Sequence, residues 1–217
     1  MLTKYKYIYF DLDGTIIDSS VGVVNSVIYT LNRFNLEDYS VGSIKQAVIG
    51  PPLYQGLQNL TGIKDDSFLN EMITVFREKY STKGVFQNSL FPNIKNTLVK
   101  LSELGCTMEI LTSKPTKFAE QIVKQHGIEI FFSKIDGAGD TDKKSLKSNK
   151  LGFSTLSNQD ISIMIGDRVE DIVAGRVNNV DTVAVTYGFD DLELLKKQKP
   201  TYCIDSIIDL VDIIKIN

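Results

Sequence analysis

The 217-residue chain has one histidine, His126, and two cysteines, Cys106 and Cys203. His126 comes just before Gly127, at an expected helix end, where a cation meets the helix dipole favourably. A mechanism built on a histidine base is therefore poorly supported. The cysteines are far apart and match no metal or redox spacing, so both read as reduced, packed thiols. No apolar run approaches the length of a membrane span, and the first residues lack a signal peptide's apolar stretch. The expectation is no membrane partner and a cytoplasmic location. Charge of one sign is not in excess either: 24 Lys and Arg face 27 Asp and Glu, a net charge of −3. That gives no electrostatic case for a nucleic acid polymer or an anionic membrane as partner. Internal repeats and low-complexity tracts are absent.

What is present is ordinary for a globular protein: 42% hydrophobic and 24% charged residues. The length suits one large or two small domains with a real core. Short apolar runs at Tyr7–Phe10, Thr107–Leu111, Ile161–Ile165 and Thr182–Val185 read as buried strands. They do not alternate strictly, as expected for a parallel sheet covered on both faces. Helical patterns lie between them. Ile94, Leu98, Leu101 and Leu104 share one face; Phe118, Ile122 and Val123 share another. Ile207, Ile208, Leu210, Val211 and Ile214 form a third. Strands alternating with helices predict an α/β, doubly wound, Rossmann-like parallel-sheet core.

From about Ser19 to Leu90 this rhythm stops. Val21, Val24, Ile28, Leu31 and Phe34 make one amphipathic helix, and Leu69, Met72, Ile73, Phe76 and Tyr80 make another. The loop Gly50–Leu53 (GPPL) separates two weaker helical stretches. The prediction is an all-helical inserted domain over residues 18–90, with a discontinuous core of 1–17 and 91–217. Pro92 is a natural boundary.

Ligands of open parallel sheets bind beyond the carboxyl ends of the strands. Asp11 and Asp13 follow the first predicted strand; Thr112, Ser113 and Lys114 follow the second. Asp167 and Asp171 follow the Ile161–Ile165 strand. Asp11 and Asp13 are two apart and face one side of an extended segment. Carboxylates crowded at one edge repel unless a cation is present, and an all-oxygen set suits Mg²⁺. Gly14 permits a tight turn, and Thr15 is expected to hydrogen-bond Asp11. Each residue also has a plain use. Asp and Gly favour turns, Asp167 or Asp171 suits a helix N-cap, and LTSKP suits a strand-to-helix connection.

Together, DLDGT (Asp11–Thr15), LTSKP (Leu111–Pro115) and GDRVED (Gly166–Asp171) resemble three motifs of the haloacid dehalogenase-like (HAD) phosphatases, in order and separation. The helical insert resembles that family's C1-type cap. The resemblance implies Asp11 as the nucleophile that forms an aspartyl-phosphate, and Asp13 as general acid and then base. It implies Mg²⁺ held by Asp11, the Asp13 carbonyl and Asp167, with Asp171 supporting that site. Thr112, the Ser113 N–H and a lysine would take the phosphoryl oxygens. Lys143, Lys144, Lys147 and Lys150 are on offer. KSNK matches a family pattern that ends in the lysine, so Lys150 is preferred over Lys144 and Lys147.

The second aspartate argues against the family's dehalogenases, which need no proton for a leaving alcohol. Phosphonatases use a cap lysine; Lys45, Lys64, Lys79 and Lys83 sit in no such pattern. A phosphomutase, or a receiver-like module that takes up phosphate as a signal, stays open. GPPL and neighbouring stretches resemble the phosphoglycolate phosphatase branch, which includes 5′-nucleotidases. The expected enzyme is thus a phosphoric monoester hydrolase acting on a small phosphorylated metabolite. Phosphoglycolate comes first, a nucleoside monophosphate second and inorganic pyrophosphate third. Gly50, Pro51 and Pro52 are expected to form the cap loop facing the site. Oligomeric state is not legible.

Overall fold

The computed structural model describes residues 3–138 and 161–215. The chain opens with strand β1 (Tyr7–Phe10) and a two-residue strand β2 (Ile17–Asp18). Helices α1 (Ser20–Arg33), α2 (Val41–Val48), α3 (Leu53–Thr61) and α4 (Asp66–Thr82) follow. Then come β3 (Ser89–Leu90), α5 (Ile94–Glu103), β4 (Thr107–Pro115), α6 (Thr116–His126) and β5 (Phe132–Ala138). The last elements are β6 (Ser162–Gly166), α7 (Val169–Val177), β7 (Asp181–Val185), α8 (Leu192–Lys197), β8 (Tyr202–Ile204) and α9 (Leu210–Ile214). The chain divides into two compact units: Met1–Asp18 with Leu90–Asn217, and Ser19–Ser89.

The first unit is a parallel sheet in the order β5-β4-β1-β6-β7-β8, flanked by helices. It is an α/β doubly wound sheet. Aromatic and β-branched residues suit β1 to a strand buried on both faces. Ile8, Tyr9 and Phe10 are buried, with Phe10 in register with Ile110 of β4 and Ile165 of β6. The sheet grows from β1 towards β4 and β5, then in the opposite direction through β6, β7 and β8. This reversal puts a switch-point crevice at the carboxyl end of β1, where such sheets bind ligands.

The second unit is helical. The stripe of α4 holds: Leu69, Met72, Phe76 and Tyr80 are buried, and the Phe76 and Tyr80 rings stack at 5.5 Å. The face expected for α1 is corrected. Val21 is 57% exposed, while Gly22, Ser26, Val27 and Thr30 are buried beside Val24 and Leu31. Gly22 and Ser26 lie against Gly84, so small side chains let the backbones approach; hydropathy does not flag such a face. The loop holding Gly50, Pro51 and Pro52 joins α2 to α3, and Pro52 occupies the N-cap of α3.

Three further expectations change. β4 runs on through Pro115, so LTSKP is strand rather than connection. The cause is β5, which pairs with it as far as Pro115 opposite Ala138. β5 (FSKIDGA) and β8 went unread because they are edge strands, one polar and one of three residues. His126 ends α6 as expected, but it is partly buried there. Burial, with Lys95 adding its charge, lowers its pKa from the ordinary imidazole value and favours the neutral ring.

The two thiols separate in behaviour. Burial pushes Cys106 up to about 11, and its Sγ lies 3.7 Å from the Tyr5 carbonyl oxygen, whereas Cys203 is exposed on β8. At pH 8 a thiol reagent is expected to label Cys203 more than about tenfold faster than Cys106. Peptide mass spectrometry over a labelling time course checks the order.

Candidate active site

The crevice collects the ends of β1, β4, β6 and β7. Asp11 follows β1, and its N–H donates to the Ile165 carbonyl at 2.9 Å. Asp167 follows β6. Its Oδ1 accepts from the Thr15 hydroxyl at 3.1 Å and its Oδ2 from the Phe189 N–H at 2.8 Å. The expected bond from Thr15 to Asp11 is thus replaced by one to Asp167. Gly14 explains the turn: its φ is +86°, and a Cβ there would sit 2.1 Å from Asp167 Oδ2. Only glycine lets the β1 loop fold this closely over the β6 carboxylate. The Tyr187 hydroxyl closes the same turn by donating to the Thr15 carbonyl at 2.8 Å. Burial, then the Asp167 charge, pushes that phenol up and keeps it a donor.

Asp171 lies in the first turn of α7, and its Oδ2 accepts from the Arg168 N–H at 3.1 Å. The capping use of this acid is therefore real, although Arg168 is the N-cap residue. Asp11 is 2% exposed; Asp167 and Asp171 are 0% exposed. Each offers one oxygen, and the three oxygens lie within 4.8 Å of one another. Three like charges in a dry crevice are costly without a compensating cation. The donor set is all oxygen, which fits a hard divalent ion.

Asp13 stands apart from this group. Its carboxylate Oδ1 lies 3.1 Å from Lys114 Nζ, with the aspartate side chain 25% exposed and the lysine 9%. Thr112 is buried at the crevice, and its Oγ1 accepts from the Lys114 N–H at 3.2 Å. Ser113 is exposed between them. Lys143, Lys144, Lys147 and Lys150 lie outside the described residues. Gly50, Pro51 and Pro52 belong to the other compact unit.

Lys114, Tyr187, Phe189 and Asp190 are further residues of the site to which no motif gives a role. Asp190 Oδ2 accepts from the Val169 N–H at 2.9 Å and fixes the start of α7. All but Lys114 follow β7, a strand that was legible, so the strand-end rule applied to Thr186–Asp190 would have found them.

A doubly wound sheet with buried carboxylates at its switch point defines a class of acid-lined α/β proteins. Within that class, the haloacid dehalogenase-like hydrolase family matches residues 8–185. A 5′-nucleotidase of Pseudomonas aeruginosa is 33% identical over 208 residues, covering 93% of this chain and 92% of that protein. A phosphoglycolate phosphatase of Vibrio parahaemolyticus is 28% identical, over 98% and 97% of the two chains. The tyrosine-protein kinase PtkA of Mycobacterium tuberculosis is 30% identical, over 90% of this chain and 67% of the kinase. A putative phosphatase crystal structure from Clostridium difficile superposes with a TM-score of 0.86 at 31% identity, over 96% and 99%. The chain belongs to the haloacid dehalogenase-like hydrolase family and is an enzyme of its phosphatase class. No described helix is long and apolar enough to cross a membrane.

Proposed function

We propose that the chain is a Mg²⁺-dependent phosphatase that hydrolyses a small organic phosphate monoester through an aspartyl-phosphate on Asp11. The observation that carries this reading is the buried group of Asp11, Asp167 and Asp171, with oxygens within 4.8 Å, at the end of the strand that leads on to Asp13. An Asp11 carboxylate oxygen attacks phosphorus, and the bond from phosphorus to the alcohol oxygen breaks. Asp13 gives that oxygen its proton. Asp13 then takes a proton from water as the water attacks phosphorus, releasing inorganic phosphate and restoring Asp11. Thr112, the Ser113 N–H and Lys150 hold the phosphoryl oxygens by charge and hydrogen bonding. Bound between Asp11, the Asp13 carbonyl and Asp167, with Asp171 in support, Mg²⁺ would neutralise charge between nucleophile and phosphate.

Asp13 favours an enzyme over a receiver-like module, because a phosphate store needs no proton donor for an alcohol. The helical unit is proposed as a cap, residues 18–90 on a core of 1–17 and 91–217, with Gly50, Pro51 and Pro52 towards the substrate. Such a cap would shield the intermediate from bulk water. Phosphoglycolate is the first substrate to test. The 33% identity to a 5′-nucleotidase supports a nucleoside monophosphate as the second reading.

A phosphate-release screen with Mg²⁺ over phosphoglycolate, nucleoside monophosphates, sugar phosphates and pyrophosphate tests this. Preferred release from one monoester is expected. Pyrophosphate as the preferred substrate, isomerisation of a sugar phosphate, phosphate transfer from ATP to a tyrosine peptide, or stable stoichiometric phosphorylation without turnover would each contradict it.

A further inference from the structure

We propose that Lys114 is a positioning residue for Asp13: its ammonium holds the Asp13 carboxyl where the leaving oxygen must receive a proton. The inference rests on Asp13 serving as the proton donor of the proposed reaction. It starts from the ion pair at 3.1 Å between Lys114 Nζ and Asp13 Oδ1. The two ends of the pair are unequal. Asp13 is a quarter exposed and bridges to Ile17 just before the Gly14 turn, whereas the Lys114 side chain is 9% exposed. A short carboxylate at a crevice mouth has several rotamers, and a proton donor is useful in one of them. A mostly buried cation at contact distance selects among them by charge.

The lysine itself is held by its backbone. Its N–H donates to Thr112 Oγ1 at 3.2 Å. On the other side β5 closes in at Gly137, where a Cβ would lie 2.4 Å from the Lys114 carbonyl oxygen. The Gly137 N–H is in turn tied to Thr116 Oγ1 at 3.1 Å. The register between β4 and β5 shifts between Leu111 and Pro115, the stretch that carries Lys114. Irregularities of this kind re-aim a side chain beside an active site. Thr112 and Lys114 are thus set by one irregular strand end, so the phosphate-holding hydroxyl and the restraint on Asp13 share a frame.

This predicts a dependence on the leaving group. An alkoxide needs a proton as it departs; p-nitrophenolate does not. The quantity kcat/KM covers only the steps up to phosphorylation of Asp11. In Lys114→Met, which keeps an unbranched apolar stem, kcat/KM for an alkyl phosphate is expected to fall about 10- to 100-fold. For p-nitrophenyl phosphate it should fall less than about threefold. Lys114→Arg should recover most of the alkyl phosphate rate. A fold defect or a lost phosphate contact would lower both substrates together. Asp13→Asn, measured in parallel, is expected to show the same selectivity more strongly. If Asp13→Asn is selective and Lys114→Met lowers both substrates equally, or neither, the positioning role is overturned and the proposed reaction stands. If Asp13→Asn is itself unselective, the proton-donor role fails, and the inference with it.

Discussion

Asp11→Asn is expected to lower phosphatase turnover on the order of 10⁴-fold or more while leaving the protein folded. The substitution keeps shape and volume but removes the charge of the proposed nucleophile. Asp11 is 2% exposed and its oxygen belongs to a group of three within 4.8 Å, so no bulk water replaces it as a nucleophile on the enzyme. The same crowding fixes the sign of a second effect. Removing one of three buried like charges relieves repulsion, so in the presence of a chelator the variant should melt at or above the wild-type temperature. Lost activity together with a lower melting temperature would mean a damaged fold. Lost activity with unchanged or raised stability isolates the chemistry.

Mg²⁺ is expected to raise the melting temperature of the wild-type chain. A ligand that binds only the folded state, at a hundredfold excess over its Kd, adds about 2.7 kcal/mol of stability. For a chain of this size that corresponds to roughly 5–10 °C. The shift should exceed any produced by Na⁺ at equal ionic strength, because oxygen-only donors at this spacing suit a hard divalent ion. Asp167→Asn should remove most of it. Asp167 already accepts bonds from Thr15 and Phe189 through its two oxygens, so it is a fixed donor rather than one that must be recruited. A melting temperature that ignores Mg²⁺ would contradict a metal site here. Differential scanning fluorimetry reads the shift without any substrate.

The sequence made the centre of the sheet legible because β1, β6 and β7 are buried on both faces and carry little but apolar residues. The edges were not, for physical reasons. β5 is polar because one of its sides meets solvent, and β8 is too short to show a period. The second unit's helices were readable by their large residues, except where α1 packs by Gly22 and Ser26 against Gly84. At the site, the spacing of Asp11, Asp13, Asp167 and Asp171 was plain from the strand ends. Thr15 bonds Asp167 rather than the nearer-in-sequence Asp11 because the left-handed turn at Gly14 carries it towards β6. The place of Lys114 is not legible, since a strand pattern gives no sign of a register shift in the stretch that brings its side chain to Asp13.

The most direct measurement of the chemistry is to mix enzyme with excess phosphoglycolate, or whichever monoester the screen prefers, in the presence of Mg²⁺. Acid quench within the first turnovers and peptide mapping should then find a phosphoryl group on the peptide that carries Asp11. It should vanish once substrate is exhausted and be missing from Asp11→Asn. Full turnover with Asp11 never phosphorylated, or undiminished turnover by Asp11→Asn, would contradict the role given to that residue.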